Sequence, residues 1–292
     1  MDIRQLRYFV TIAEEGTITK AAQHLHMAQP PLSRQLKQME DELGVTLFER
    51  NKKKKVTLTN QGYLFLKKAK EVLHKFDEAI IEVQEFGEEV SGTLSVGSTI
   101  YCAPVLLSTL NRFRHQYADI KFNIWEGSSA FLMDLLDNHQ IDIAITAGPF
   151  STDNIEIQKL NTDPCVVIVP NDYPVENTSL NLHEIALLPL LLLRPSQGNG
   201  LYDEIIVEFQ HVNIEANILC ECHDSAMLLN LVKMGFGATI LPESMVHDQF
   251  IDKFKIVHIQ NNPWITEPHI VWRANSYLPA SAKEFLTFFN ES

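Results

Sequence analysis

Between Ile3 and Leu43 the apolar residues recur at helical spacing in three bursts. In "IRQLRYFVTIAEEG", Leu6, Phe9, Val10 and Ala13 fall three or four apart, which predicts a helix stopping at Gly16. "ITKAAQHL" predicts a second helix with Thr17 as its N-cap, and the small Ala21 and Ala22 leave room for another helix to cross closely. Then come Pro30 and Pro31. Gln29, which precedes a proline, is pushed away from the α region, so the second helix must already have ended. Prolines are tolerated in a first helical turn, whose N–H groups have no intrahelical partner, so the pair marks the start of a third helix. That helix buries Leu32, Leu36, Met39 and Leu43, and its opposite face collects Pro30, Arg34 and Lys37, with Ser33 at the edge. "VTLFERNKKKKVTLT" follows as two short strands around a loop carrying Arg50 and Lys52 to Lys55.

Farther on, Leu66, Ala69, Leu73, Phe76, Ile80 and Val83 repeat every three or four residues as a heptad seam, which predicts a coiled coil with a second chain. The competing expectation is an amphipathic helix packed on its own domain. Beyond Gly87 the pattern changes. "GTLSVGSTI", "IKFNIWEG", "DIAIT", "CVVIVP", "LPLLLL", "NILCEC" and "ATILPE" read as strands alternating with helical stretches near residues 104–117, 132–138 and 279–290. The alternation predicts an α/β body with mostly parallel sheets. Ser98, Thr99, Ser129 and Thr146 stand at strand ends, with Ser128 beside them. Singly they suit helix N-caps; together they suit an anion held by hydroxyls and helix N-termini.

Charge separates the chain into partners of opposite sign. Residues 1–75 carry 14 Lys/Arg against 8 Asp/Glu, residues 76–90 carry six acids and no Lys/Arg, and residues 91–292 carry 10 Lys/Arg against 23 acids. A polyanion is attracted to the head and repelled by the body. The helix–turn–helix spacing alone is also made by ordinary helical hairpins, and a lysine run alone by solvated loops. Found together in the basic part of an acidic chain, they point to DNA: the third helix for the major groove, the lysine loop as a phosphate clamp. Arg can pair with guanine and Gln with adenine, while Ser and Lys hold phosphates.

Residues 1–62 resemble the N-terminal domain of LysR-type transcriptional regulators: "LRYFVTIAEEGTITKAAQHLHMAQPPLSRQLKQMEDELGVTLFER" follows that pattern nearly throughout, and "LTNQG" matches its usual ending. The resemblance implies a winged helix-turn-helix at 1–60, a dimerising linker helix at 61–90, and an effector-binding body at 91–292 built as two α/β subdomains like a periplasmic binding protein. Subdomain I would take about 91–161 and 268–292, and subdomain II about 162–267, with crossings near 160–163 and 264–269. The DNA-facing residues implied are Thr19, Gln29, Pro30, Pro31, Ser33, Arg34, Lys37, Arg50, Lys53 and Lys54; the effector residues are Ser98, Thr99, Ser129, Thr146, Pro195 and Ser196. Ala28 departs from the Ser or Thr cap of many members, a loss expected to cost about 1 kcal/mol. The implied partners are an operator with paired half-sites, a small effector, most simply an organic anion, a second copy of the chain through the linker helix within a homotetramer, and RNA polymerase as a further candidate.

Other chemistries find no footing. "GFGA" lacks the third glycine of a dinucleotide fingerprint, no P-loop appears, and no Cys or His pair completes a zinc set around Cys220 and Cys222. His24 and His26 flank a turn. Ser, His and Asp are present without a nucleophile elbow, so no enzyme and no cofactor are expected. No apolar run has the roughly 18 residues of a membrane span, and "MDIRQLRYFV" does not read as a signal peptide. With four scattered cysteines this predicts a cytoplasmic protein. Three alternatives stay open: a ligand-independent architectural DNA-binding protein or repressor, a solute-binding or enzymatic α/β protein with an accessory helical head, and a redox sensor using Cys102 or Cys165. Arg194 is a candidate countercharge for a carboxylate, with a structural role the competing expectation.

Overall fold

The computed structural model describes residues 1–50, 55–84, 90–148, 150, 154–175, 177–194, 200–246, 253–274 and 276–290. The chain divides into two units, Met1–Gly87 and Glu88–Ser292.

The first unit contains α1 (Ile3–Glu15), α2 (Ile18–His24), α3 (Gln29–Leu43), the two-stranded wing β1 (Phe48–Arg50) and β2 (Val56–Leu58), and α4 (Asn60–Gln84). Asp2 and Gln5 form a reciprocal capping box at the start of α1, and Gly16 ends it in a left-handed conformation with φ of 64°. Thr17 caps α2 by accepting from the Lys20 N–H. The turn to α3 closes with the Met27 N–H on the Ala22 carbonyl and His26 at a φ of 51°. Gln29 opens α3 rather than preceding it. The steric pressure on a pre-proline residue is overcome at a position where only one helical turn of geometry is demanded. Phe9, Ile12, Ala21, Leu32, Leu36, Met39 and Leu47 make the buried core. Leu43, expected inside, is exposed because α3 runs one turn beyond that core to Gly44. The Glu40 carboxylate accepts the N–H groups of Leu47 and Phe48, steering the chain from α3 into the wing.

Thr59 caps α4, accepting from the Gly62 N–H at 2.9 Å while donating to the Thr46 carbonyl at 2.7 Å. A methyl group on Gly62 would run into the Leu47 carbonyl oxygen, so only glycine lets α4 start against the wing. The predicted seam then splits. Leu66, Ala69 and Leu73 pack with Phe65 into the head's own core, while Phe76, Ile80 and Val83 lie exposed on the same side of the helix farther along. Half of the seam is therefore the competing expectation.

The second unit opens with β3 (Thr93–Ser98), a short 3-10 turn at Ile100–Cys102, α5 (Ala103–Gln116), β4 (Lys121–Glu126), α6 (Ser129–Asp137), β5 (Ile143–Ala147) and β6 (Ile155–Lys159). The chain crosses into β7 (Asp163–Pro170), β8 (Ser179–Leu180), α7 (Leu182–Ala186), β9 (Leu190–Leu193), α8 (Leu201–His211), β10 (Ile218–Cys222), α9 (Ser225–Lys233), β11 (Thr239–Pro242) and β12 (Phe254–Ile259). It returns through β13 (Ile265–Thr266) and β14 (Pro268–Arg273) and ends with α10 (Ala280–Thr287), whose Phe285 packs edge-on against Phe113 of α5. One sheet has the order β4-β3-β5-β14-β6; the other runs β11-β7-β12-β8, with β9 and β10 as a parallel pair. A single bridge from Leu190 to Ala238 joins that pair to the start of β11.

The sheets are mixed rather than mostly parallel. β3 is parallel to β4 and β5, but β14 is antiparallel to β5 and β6, and β7 is antiparallel to β11 and β12. The reason is the double crossing: a strand bringing the chain back into a sheet runs against the strands that built it. The two passages pair with each other, Ile265 opposite Pro164 and Thr266 opposite Asp163, and the Leu160 N–H donates to the Pro268 carbonyl.

Gly62→Ala is expected to cost the head about 1–3 kcal/mol, the usual penalty for overfilling a close-packed contact. Chemical denaturation of the variant, with the body's own transition as internal reference, checks it; an unchanged head transition would refute the steric reading.

Candidate functional site

On the head, the structure keeps Thr19, Gln29, Pro30, Pro31, Arg34 and Lys37 exposed and Ser33 half-buried. Among the described residues no ion pair engages Arg34 or Lys37, so both cations are available to an external anion. Arg50 closes β1; Lys53 and Lys54 lie outside the described residues, and Lys55 beside them is exposed. Ala28 is the N-cap of α3 and makes no side-chain cap bond. The expected penalty does not arise. A capping hydroxyl accepts from the N–H of the second or third helical residue, and here those residues are Pro30 and Pro31, which have none. The same two prolines leave the start of α3 as a rigid, apolar corner beside Arg34.

In the second unit a cavity of about 360 Å³ lies between the two sheets and against the returning strands. Thr99, Ser128 and Ser129 line it from the first subdomain, Leu193, Leu201, Glu204 and His223 from the second, and Ile265, Thr266, Glu267 and His269 from the return passage. Of the four strand-end residues expected there, two stand at the wall and two behind it. Ser98 is buried with its hydroxyl donating to the Thr99 carbonyl at 2.9 Å. Thr146 is fully buried and donates to the Ser129 hydroxyl at 2.7 Å; Ser129 in turn donates to the Ala147 carbonyl at 3.2 Å. Ser128 caps α6 by accepting from the Phe131 N–H. Pro195 and Ser196 lie outside the described residues. Arg194 does not line the cavity: it pairs with Glu221 at 2.7 Å and stacks 4.9 Å over the Tyr202 ring.

Sequence reasoning missed the residues that join the two subdomains. Tyr101, in the 3-10 turn after β3, lines the cavity and donates its hydroxyl to the Leu193 carbonyl at 2.8 Å, a buried bond from one subdomain to the other. Its signal was an aromatic with a polar tip two residues after Thr99. Lys159, from the outgoing passage, pairs with Glu267 of the returning one at 2.7 Å and holds that carboxyl below its ordinary range. Burial pushes the Tyr101 hydroxyl well up, Cys102 up to about 11 and Cys165 up to about 12. The reactive form of cysteine is the thiolate, and both thiols are buried and held protonated, which works against redox sensing at either. Among the described residues, no helix is long and apolar enough to cross a membrane.

Two family models match the chain: a bacterial regulatory helix-turn-helix protein of the lysR family over residues 3–63, and a LysR substrate binding domain over residues 87–292. The HTH-type transcriptional regulator BsdA of Bacillus subtilis is 53% identical over 291 residues, covering 99% of this chain and 100% of that protein. A full-length OxyR variant from Pseudomonas aeruginosa superimposes with a TM-score of 0.74 at 26% identity, covering 99% of this chain and 95% of its own. Full-length CbnR complexed with its target DNA gives a TM-score of 0.71 at 23% identity over 100% of this chain and 99% of that one, a likeness of fold.

Tyr101→Phe keeps the ring and leaves the buried Leu193 carbonyl unpaired, so the body should lose about 1–2 kcal/mol in urea denaturation. Raising pH should destabilise the wild-type body as well. Tyr101, Cys102 and Cys165 have folded-state pKa values above their unfolded ones, so their contribution is intact below about pH 8, starts to fall as the unfolded thiols and phenol ionise at about pH 8.5–10, and goes on falling until the folded groups ionise. A melting temperature that holds steady from neutral pH through that range would contradict the assignment.

Proposed function

We propose, for a chain that belongs to the LysR family of bacterial transcriptional regulators and is a DNA-binding regulator modulated by a small-molecule effector, that α3 reads operator bases while the cavity between the subdomains takes an organic acid. Arg34 and Gln29 are assigned to base edges, Ser33, Lys37 and Thr19 to the backbone, Pro30 and Pro31 to shape against the groove, and Arg50 with the wing lysines to flanking phosphates.

The observation that carries the effector assignment is the Thr146 to Ser129 relay at the start of α6. Ser129 accepts from a buried donor that has little else to do, so its own proton is free to turn from the Ala147 carbonyl to a ligand oxygen. The first amides of α6 have no intrahelical partners and carry the positive end of the helix dipole, so a carboxylate placed there meets a hydroxyl and N–H groups together. Thr146 thus serves the site from behind the wall, Thr99 and Ser129 from its surface. A ligand spanning from Ser129 to Leu193 or Leu201 contacts both subdomains and favours whichever separation it fits.

The consequence for transcription is a linkage. Copies of the chain pair through the exposed Phe76, Ile80 and Val83 face of α4, two such pairs make a tetramer, and effector binding shifts the assembly, changing half-site spacing and DNA bend. RNA polymerase reads the altered complex. The protein acts in the cytoplasm and catalyses no reaction of its own.

Arg34→Ala should weaken operator binding by about 1–3 kcal/mol and relax base choice at one position, whereas Lys55→Ala should weaken all sequences alike and flatten the salt dependence by about one. Unchanged selectivity in the arginine variant would remove it from the base-reading set. An effector at a hundred times its dissociation constant adds about 2.7 kcal/mol to the wild type; Ser129→Ala should lose most of that thermal shift, and a variant stabilised as fully as the wild type would place the effector elsewhere.

A further inference from the structure

The walls of the cavity are unequal in charge. Among the described residues no lysine or arginine lines it. Glu126, Glu204 and Glu267 do line it, and Lys159 neutralises only Glu267. In their neutral form the two histidines add acceptors. His223 donates its Nδ1 proton to the Arg194 carbonyl at 2.7 Å, and His269 donates its Nδ1 proton to the Glu267 carbonyl at 2.9 Å. In a neutral ring that fixes the tautomer and leaves each Nε2 as a lone pair. The Tyr101 hydroxyl, which sequence alone would count as a donor for the ligand, is spent on Leu193. Among the described residues, the hydroxyls of Thr99, Ser128 and Ser129 with the first turn of α6 form a donor pole, and Glu204 of α8 presents a carboxylate from the second subdomain, with the Thr266 hydroxyl on the return strand between them.

From this distribution we infer that the cavity selects a monoanion carrying a hydrogen-bond donor or a cationic group opposite its carboxylate, and rejects dicarboxylates, with Glu204 as the specificity-determining residue. The inference rests on the assignment of the cavity as the effector site. A second carboxylate on the ligand would meet Glu204 and two imidazole lone pairs with no cation to offset them, losing solvation without a partner. An amine or hydroxyl in the same place satisfies those acceptors. The apolar surfaces of Ile100, Leu193, Leu201 and Ile265 suit a flat or compact hydrocarbon frame between the poles.

Three rigid probes of similar size separate the possibilities: benzoate, para-aminobenzoate and terephthalate, titrated calorimetrically into the full chain up to about 10 mM, where even a millimolar dissociation constant gives a measurable shift. The expected order places para-aminobenzoate tightest and terephthalate at least about tenfold weaker. In Glu204→Gln, which exchanges an exposed side chain and leaves the fold intact, that ratio should fall several-fold. Terephthalate binding as tightly as para-aminobenzoate, a ratio unchanged in Glu204→Gln, or silence from all three probes would each overturn the inference. Ser129→Ala distinguishes this from failure of the underlying assignment. Binding lost in Ser129→Ala but with its ratio untouched by Glu204→Gln overturns the donor rule and keeps the site. Binding indifferent to both substitutions overturns the site as well.

Discussion

The pairing of the two crossing passages is the constraint on which the body depends. β7 leaves the first subdomain as β13 and β14 re-enter it, and the two are held together by the Thr266–Asp163 and Ile265–Pro164 register, the Leu160 to Pro268 bond and the Cys165 N–H on the Trp264 carbonyl. Trp264 then anchors this ribbon in the second subdomain, buried and 5.6 Å from the Phe209 ring. A ribbon of paired strands bends more easily than it stretches or shears, because its length and register are fixed by hydrogen bonds. The opposing antiparallel strands in both sheets, the position of the cavity and its third wall of Ile265, Thr266 and His269 all follow from it. Tyr101 adds a hydroxyl bond from the first subdomain to the Leu193 carbonyl of the second, so the cavity is bordered by a link besides the crossing strands.

How much of this was legible depends on whether the deciding interaction is local. The three helices of the head, the wing and the glycine at position 62 follow from periodicity, proline chemistry and a short approach, all written within a few residues. The harmlessness of Ala28 was also there to be seen, since the prolines after it abolish the donors a cap would serve. The mixed sheets were not. β14 carries Pro268 at its start and His269 beside it, and nothing in "PHIVWR" says which sheet it joins; that is decided by a partner more than a hundred residues away. In the cavity, hydroxyls at strand ends were readable as a group. Which of them faced the ligand was not, because adjacent residues of a strand point to opposite sides and a hydroxyl one place off serves as support. Ser98 and Thr146 are such supports.

The split seam of α4 bears on how a signal in the body could reach DNA. Phe65, Leu66, Ala69 and Leu73 belong to the head's core, with Phe65 4.9 Å from the Phe9 ring, and the surface pairs Arg7–Asp77 and Lys70–Glu14 tie α1 along the same helix. The direction of α4 is therefore fixed relative to α3 by packing, not by a flexible joint. Its remaining apolar face, at Phe76, Ile80 and Val83, is left for whatever chain covers it. If a second copy does so, as proposed above, the crossing point on α4 sets the distance and angle between two recognition helices, since nothing between them bends freely. DNA half-sites recur at fixed helical intervals, so a change of a few ångströms in assembly decides which intervals are engaged without strain. The acidic body is consistent with that division of labour. Carrying 23 acids against 10 basic residues, it repels the duplex. Under the linkage proposed above, its influence on DNA is indirect, acting through how the basic heads are assembled and not through contact with the duplex.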